Sequence, residues 1–392
     1  MDQKKMKTAL DLIYLVSCAV NNEKPDLKKS ADFDLADIFS LARRHSLTAA
    51  ASISIEQVTS LPLDFKEEKY KVVRRLSLFD IERKKVLDTF EKSGIRYVSL
   101  KGIVLKDYYP KAIMREMSDN DILCDSDKLS EIKKLMEELG YLCKSFGKYH
   151  HDVYVNPSGV EFEIHHSLFN KIKSPDLYVY FGNIRDRLIK DDNNDYGFHM
   201  TNEDFYIYII CHLLKHYKQG GTGLRSLLDV YVFNRRFGDS LDSVYLGEEL
   251  KKLELIEFES EIKQLAVKVF TGQNLSDNEN AALEFFTESN TYGTPEHVMM
   301  WQLNNNDSEK AKRKYVLGRL FPSNETLKTY YPFIYRHKYL YPFWNAHRLI
   351  KGALYNRKKI SGEVKRLKKF KTKESYINSH LSLKRAMGKS KK

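Results

Sequence analysis

A change of hydrophobic period at Gly94 limits the folds open to this chain of 392 residues. Before it, apolar residues recur every three or four positions. Val72, Val73, Leu76, Phe79, Ile81, Val86, Leu87 and Phe90 predict a helix from about Phe65 to Ser93, with earlier helices to about Val20 and from Leu35 to Arg44. After it, Arg96 to Leu100 reads as a short strand, because Tyr97 and Val98 favour extended backbone, and Gly102 follows directly. Ile103 to Tyr109 reads as a short helix stopped by Pro110, Ser118 to Cys124 as a second strand, and Leu129 to Leu139 as an amphipathic helix closed by Gly140. Two more strands, Tyr149 to Val155 and Val160 to His166, flank the turn sequence Asn156-Pro157-Ser158-Gly159. Helical pattern returns at Glu203 to Tyr217 and Gly223 to Phe237.

This order predicts an α+β protein with a small mixed-sheet core flanked by mostly helical segments. We divide it into a helical segment over 1–94, an α/β core over 95–190, a helical domain over 191–342, and a basic C-terminal helix and tail over 343–392.

Charge is distributed unevenly. From Lys351 to Lys392 there are 15 Lys and Arg against 2 acidic residues, so the tail accounts for the net +12 and the rest is near neutrality. In the tail, Ile360, Val364, Leu367 and Phe370 form a helical stripe among Arg357, Lys358, Lys359, Lys365, Arg366, Lys368, Lys369, Lys371 and Lys373. A basic amphipathic helix suits an anionic membrane surface or nucleic acid, or packs its stripe on the body. The longest apolar run, Phe205 to Leu214, is about half a membrane span, so no transmembrane segment is expected. Four dispersed cysteines without a Cys-x-x-Cys pair suit a reducing cytoplasm. Leu15-Val16-Ser17-Cys18 has the form of a lipoprotein cleavage box, but Asp11 interrupts the apolar stretch, and Met6, Leu10, Ile13, Val16 and Val20 fit a core-packed helix better.

The chemistry lies in the α/β unit. Asp119 and Asp121 are two apart in a strand, so both carboxylates project from one face and are placed to share a divalent cation. Glu163 and His165 share a face of a later strand, with Glu161 as the rival third acid. Gly102 leaves room for phosphate beside backbone N–H groups, and Lys101 and Arg115 add positive charge. His150, His151, His165 and His166 argue weakly for zinc, since adjacent strand residues face opposite ways and no cysteine joins them. His165 is better placed to contact phosphate or orient Glu163. His212 and His216, at i and i+4, fit a core or cleft-lining face, and Arg225 and Asp229 a structural ion pair. The glycine-rich stretch 218–223 lacks the Gly-Lys-Ser/Thr ending of a phosphate loop and reads as a helix connection.

This arrangement resembles the nucleotidyltransferase core of the polymerase beta superfamily. More closely, it is similar to bacterial nucleotidyltransferase-like proteins whose pattern matches Leu100-Lys101-Gly102, Arg115, Asp119-Asn120-Asp121 and Glu163-Ile164-His165. The similarity extends to His212 and His216, to Leu224-Arg225-Ser226-Leu227-Leu228-Asp229 and to Leu320-Phe321-Pro322. Two departures stand out. Ile103 follows Gly102 where the superfamily usually has serine, and polar Asn120 between the acids predicts a less buried opposite strand face.

The resemblance implies transfer of a nucleoside monophosphate from a nucleoside triphosphate, ATP first, to a hydroxyl of a small molecule, glycan or protein. Asp119, Asp121 and Glu163 would be the catalytic metal ligands for two Mg²⁺ ions, or Mn²⁺. Lys101, Gly102, Arg115 and His165 would contact the nucleotide, with Lys101 and Arg115 balancing charge on the leaving pyrophosphate. The alternatives are a nucleotide-binding protein of the same fold without turnover, and an enzyme directed at nucleic acid. We expect a cytoplasmic protein that reaches the inner membrane face through its tail.

Overall fold

The computed structural model describes residues 2–369 except 219, 292, 295–298, 300–302 and 304–307. Residues 370–392, with Phe370, Lys371 and Lys373 of the expected tail, lie outside the described residues.

The N-terminal segment contains α1 (Gln3–Asn21), α2 (Leu27–Ser30), α3 (Leu35–His45), α4 (Thr48–Ile55) and the long α5 (Leu63–Lys92). Asp2, Asp26 and Asp34 cap α1, α2 and α3 by accepting backbone N–H bonds. In α1 the expected residues Ile13, Val16 and Val20 are buried, with Cys18 among them, whereas Leu10 is 49% exposed. The core face runs through Leu12 and Leu15 instead.

Gly94, at φ +67°, turns the chain out of α5 into the sheet, a backbone region open to glycine at little cost. The sheet strands are β1 (Tyr97–Ser99), β2 (Asn120–Cys124), β3 (Leu142–Ser145), β4 (His151–Val155), β5 (Glu161–His165), β6 (Ile189–Lys190) and β7 (Gly197–His199), in the spatial order β3-β4-β5-β2-β1-β7-β6. The β2–β5 and β1–β7 pairs are parallel and the others antiparallel. α6 (Gly102–Leu105) follows β1, α7 (Leu129–Glu138) follows β2, and α8 (Pro175–Tyr180) follows β5. The pleat then sorts the side chains. Ile122 and Cys124 of β2 and Phe162 and Ile164 of β5 pack with Leu76, Phe79, Val86 and Phe90 of α5 and Ile132 and Met136 of α7. Asn120 shares this face and is fully buried, which corrects the expectation of a less buried face. Arg83 of α5 donates to its Oδ1 at 3.1 Å, so the oxygen end of the side chain is met by a polar partner, while its buried Nδ2 has no hydrogen-bond partner.

The opposite face of β2 looks toward the helical domain, formed by α9 (Asn202–Lys218), α10 (Leu224–Phe237), α11 (Ser243–Lys252), α12 (Ile256–Phe270) and α13 (Asp277–Glu288). A second, larger core joins Val98 and Leu123 of the sheet to α1, α3, α4, α9, α10, α12 and α13. Beyond it are α14 (Ser308–Leu320), α15 (Asn324–Tyr330), α16 (Pro332–Arg336), α17 (Tyr341–Tyr355) and α18 (Arg357–Lys369). These helices carry many aromatic residues that a core would bury. Phe333, Tyr339 and Phe343 are instead 62%, 72% and 78% exposed, because these helices bury little against the body. Among the described residues no helix is long and apolar enough to cross a membrane.

Candidate functional site

The sheet wall of the site is fixed by strand register. Parallel pairing sets Asp121 of β2 directly beside Glu163 of β5, and antiparallel pairing sets His151 of β4 opposite His165. Because β2 begins at Asn120, Asp119 stands just before the strand, half-buried at its lip. His165 Nε2–H donates to Asp121 Oδ1 at 2.8 Å, and Glu163 Oε2 lies 3.4 Å from the same nitrogen. Lys101 Nζ is 3.3 Å from Asp121 Oδ2.

Lys101 reaches this position through a backbone with φ +41° and ψ −111°, a conformation that costs an L residue about 1–3 kcal/mol. Backbone bonds hold it there: Leu100 N–H donates to Asp121 O at 3.0 Å and Leu105 N–H to Lys101 O at 2.8 Å. A Cβ on Gly102 would stand 3.3 Å from both Arg115 Nη1 and Met117 Cγ, so the room that glycine leaves is taken by the protein's own arginine and methionine.

Burial and the neighbouring Asp121 carboxylate push Asp119 up to about 6. Asp121 moves the opposite way. Burial alone would raise it, but the Lys101 ammonium and the His165 hydrogen bond hold it below the usual carboxylate range. Burial would also discharge His165, and its bonds to Asp121 and Glu163 outweigh that and raise it. Two acids within one site thus occupy different protonation regimes.

The helical wall is held by tertiary contacts. Arg115 is buried, and its Nε–H donates to Asp229 Oδ1 at 2.8 Å while Tyr109 Oη–H donates to the same oxygen at 2.7 Å. The spacing suggests an Arg225–Asp229 pair; the partners the structure gives Asp229 are Arg115 and Tyr109, and Arg225 Nη1–H donates to Glu116 O at 3.0 Å. The α10 N-terminus is anchored by His45, fully buried, whose Nδ1 accepts from Leu224 N–H at 3.2 Å and whose Nε2–H donates to Thr287 O at 3.0 Å. Gly223 is required here, since a Cβ would collide with His45 and Asn290. The glycine-rich stretch is a helix connection as expected, with Gln219 outside the described residues, and its Thr222 hydroxyl bonds the Ser226 hydroxyl at 2.6 Å.

Between the walls lies a cleft of about 300 Å³. It collects every expected site residue, namely Lys101, Gly102, Arg115, Asp119, Asp121, Glu163 and His165, and leaves out Glu161. It also contains residues that sequence reasoning left without a role there: His150, His151, Lys215, Thr222 and Ser226. A signal for Lys215 exists in the sequence, because His212, Lys215 and His216 fall on one helical face. The two histidines bond through their Nε2 atoms, 3.1 Å apart. Burial and Lys101 push the Lys215 ammonium down to about 8. Asp121, Glu163 and His165 offer ligand atoms within 4.8 Å of one another, and carboxylate oxygens in such a group fit a hard divalent cation.

A family model described as an uncharacterised nucleotidyltransferase matches residues 31–271, more than half of the chain, and spans both walls of the cleft. No curated protein and no solved structure matches.

Proposed function

The chain belongs to this nucleotidyltransferase family, and we propose that it transfers the nucleoside monophosphate of a nucleoside triphosphate, ATP first, to a hydroxyl of a small molecule, glycan or protein. The observation that carries this reading is the register that sets Asp121 beside Glu163 on the cleft-facing side of the sheet, with Asp119 at its lip and cationic side chains around them. Asp119, Asp121 and Glu163 would hold the divalent ions, two Mg²⁺ or Mn²⁺. When bound, such ions lower the pKa of an acceptor hydroxyl and offset charge on the phosphates.

The chain's own residues have separate tasks. His165 fixes the Asp121 carboxylate through the 2.8 Å bond. Lys101 places its ammonium against Asp121 at the mouth of the strained turn, where a phosphate oxygen entering the cleft meets it. Arg115 faces the cleft, but its ion pair with Asp229 balances much of its charge, so it chiefly holds the helical wall in place. Lys215, with no ion-pair partner among the described residues, adds charge from that wall and fits the leaving pyrophosphate.

The test is incubation of the protein with each α-labelled triphosphate, Mg²⁺ or Mn²⁺ and a lysate of the source cell, followed by identification of the labelled product. Label transfer that disappears in Asp119→Asn supports the reading. Calorimetry showing no binding of any of the four triphosphates with either ion overturns it, and binding without transfer leaves a nucleotide-binding protein.

For the C-terminal arm, the partner we propose is an anionic membrane surface at the inner face. Basic α18 carries exposed Ile360 and Val364, and α17 before it exposes Phe343 and Tyr355, a mixture of charge and apolar area that suits lipid headgroups. Co-sedimentation of the full-length protein with anionic but not neutral vesicles at low salt is expected, and its absence ends that reading. Binding to nucleic acid alone would reassign the arm.

A further inference from the structure

Strand alternation predicts that His150 and His151 face opposite ways. The structure differs because β4 begins at His151, so His150 lies outside the pleat and its ring turns to the same side. The ring centroids of His150 and His151 are 4.6 Å apart, those of His151 and His165 5.0 Å, and those of His150 and His165 5.4 Å. The three residues offer ring nitrogens within 4.8 Å of one another.

We propose that His150, His151 and His165 form a binding site for a divalent transition-metal ion, beside the carboxylate site and different from it in ligand chemistry. Nδ1 of all three rings is buried without a hydrogen-bond partner, although a buried polar atom left unbonded is costly. His165 is only 1% exposed, and its Nε2–H is already given to Asp121. In the neutral ring that bond fixes the tautomer and leaves the lone pair on Nδ1, so a metal ion binding there takes the place of a proton. A carboxylate gripping one imidazole nitrogen while the other stays basic and open is how metal-ligating histidines are oriented.

Two of the ligands stand on directly paired strand residues, so the site is built on rigid backbone. The local charge also permits a cation: Lys101 and Lys215 line the same cleft, but Asp119, Asp121 and Glu163 oppose them, with Glu163 Oε2 3.5 Å from His151 Nδ1. Imidazole nitrogens favour Zn²⁺, Co²⁺, Ni²⁺ or Cu²⁺ over Mg²⁺, whereas carboxylates favour Mg²⁺ and Mn²⁺. Three protein ligands would leave a position open toward the cleft. The inference does not depend on the proposed transfer reaction.

The test uses full-length protein stripped with a chelator, then titrated with Co²⁺ in excess Mg²⁺ without nucleotide. Visible d–d absorption is expected, and His150→Ala and His151→Ala should each weaken Co²⁺ binding by about tenfold or more. Asp119→Asn should leave the spectrum unchanged. X-ray absorption of the Co²⁺-loaded unmodified protein should show imidazole scattering, which keeps the test independent of how the variants fold. Loss of Co²⁺ to excess Mg²⁺, unaltered binding in both histidine variants, or a shell of oxygen ligands alone would each overturn the site. Co²⁺ binding with no transfer of any nucleotide would leave this site standing and remove only the transfer reading.

Discussion

The two walls of the cleft are built on different principles. On the sheet wall, backbone register alone determines that Asp121 meets Glu163, and the pleat sends both toward the cleft while their neighbours enter the core. On the helical wall nothing local places Lys215 or Asp229. α9 and α10 are positioned by buried contacts far apart in the chain, such as His45 with Leu224 and Arg115 with Asp229. A wall fixed by register suits chemistry that needs acids at set spacing. One fixed by packing is free to be reshaped for a particular substrate without disturbing the acids.

The sharpest way to break this contrast is on the sheet wall. Asp119→Asn should lower transfer by about a thousandfold or more. It should also raise the melting temperature of the metal-free protein at pH 7, because burial and Asp121 push Asp119 up to about 6, and its ionised form works against folding there. Single-turnover rates and thermal melts check both, and parallel losses of activity and stability would mark Asp119 as a packing residue. In the same assay Glu163→Gln should cost far more than Glu161→Gln, since only Glu163 lines the cleft.

On the helical wall the large effects are on stability. Arg115→Met leaves Asp229 buried without its cation and should destabilise the fold by about 3 kcal/mol or more in urea unfolding. Activity in the folded fraction should fall through misplacement of α10 rather than through loss of the acids. A variant as stable as the parent would show that the bridge holds nothing.

His45 gives the same wall a pH dependence. Burial pushes it down to about 4 from an ordinary value of 6.5. Above pH 6.5 both folded and unfolded chains hold it neutral and the anchor is intact. Between pH 6.5 and 4 only the unfolded chain takes up the proton, so stability falls by about 3 kcal/mol across that window. Below pH 4 this contribution stops changing. His45→Gln should flatten the curve in that range, and an unaltered acid limb would place the loss elsewhere.

The same division explains what could be read from the amino-acid order. The placing of Asp121, Glu163 and His165 on one side of the sheet was legible because a period of two is a local property, whereas Asp119 falls just before β2 and outside that alternation; Gly140 and Gly159 marked their turns, at φ +84° and +79°. α4 was not legible: every residue from Thr48 to Ile55 is buried, so it shows no polar face to give a helical period. β3 is an edge strand with Leu142 60% exposed, while β6 and β7 are only two and three residues long, too short for alternation to register. Lys215 and the grouping of His150 with His151 depend on the packing of α9 and on where β4 starts. The period of a segment does not fix either.

The smallest expected effect is also the most specific to the helical wall. Lys215 faces the cleft with its ammonium pushed down to about 8 by burial and by Lys101. A phosphate-binding cation with that value is charged at pH 7 and discharges as the pH rises through 8, so triphosphate affinity should weaken by about tenfold between pH 7 and 9. KM should carry the change while kcat holds, because the acids proposed to do the chemistry are on the opposite wall. Lys215→Arg, charged throughout this range, should keep KM flat across it. Lys215→Met should show at pH 7 the weak binding that the parent reaches only at high pH. If kcat rather than KM follows the titration, Lys215 acts on the transition state, and the separation between a chemical wall and a binding wall fails at that residue.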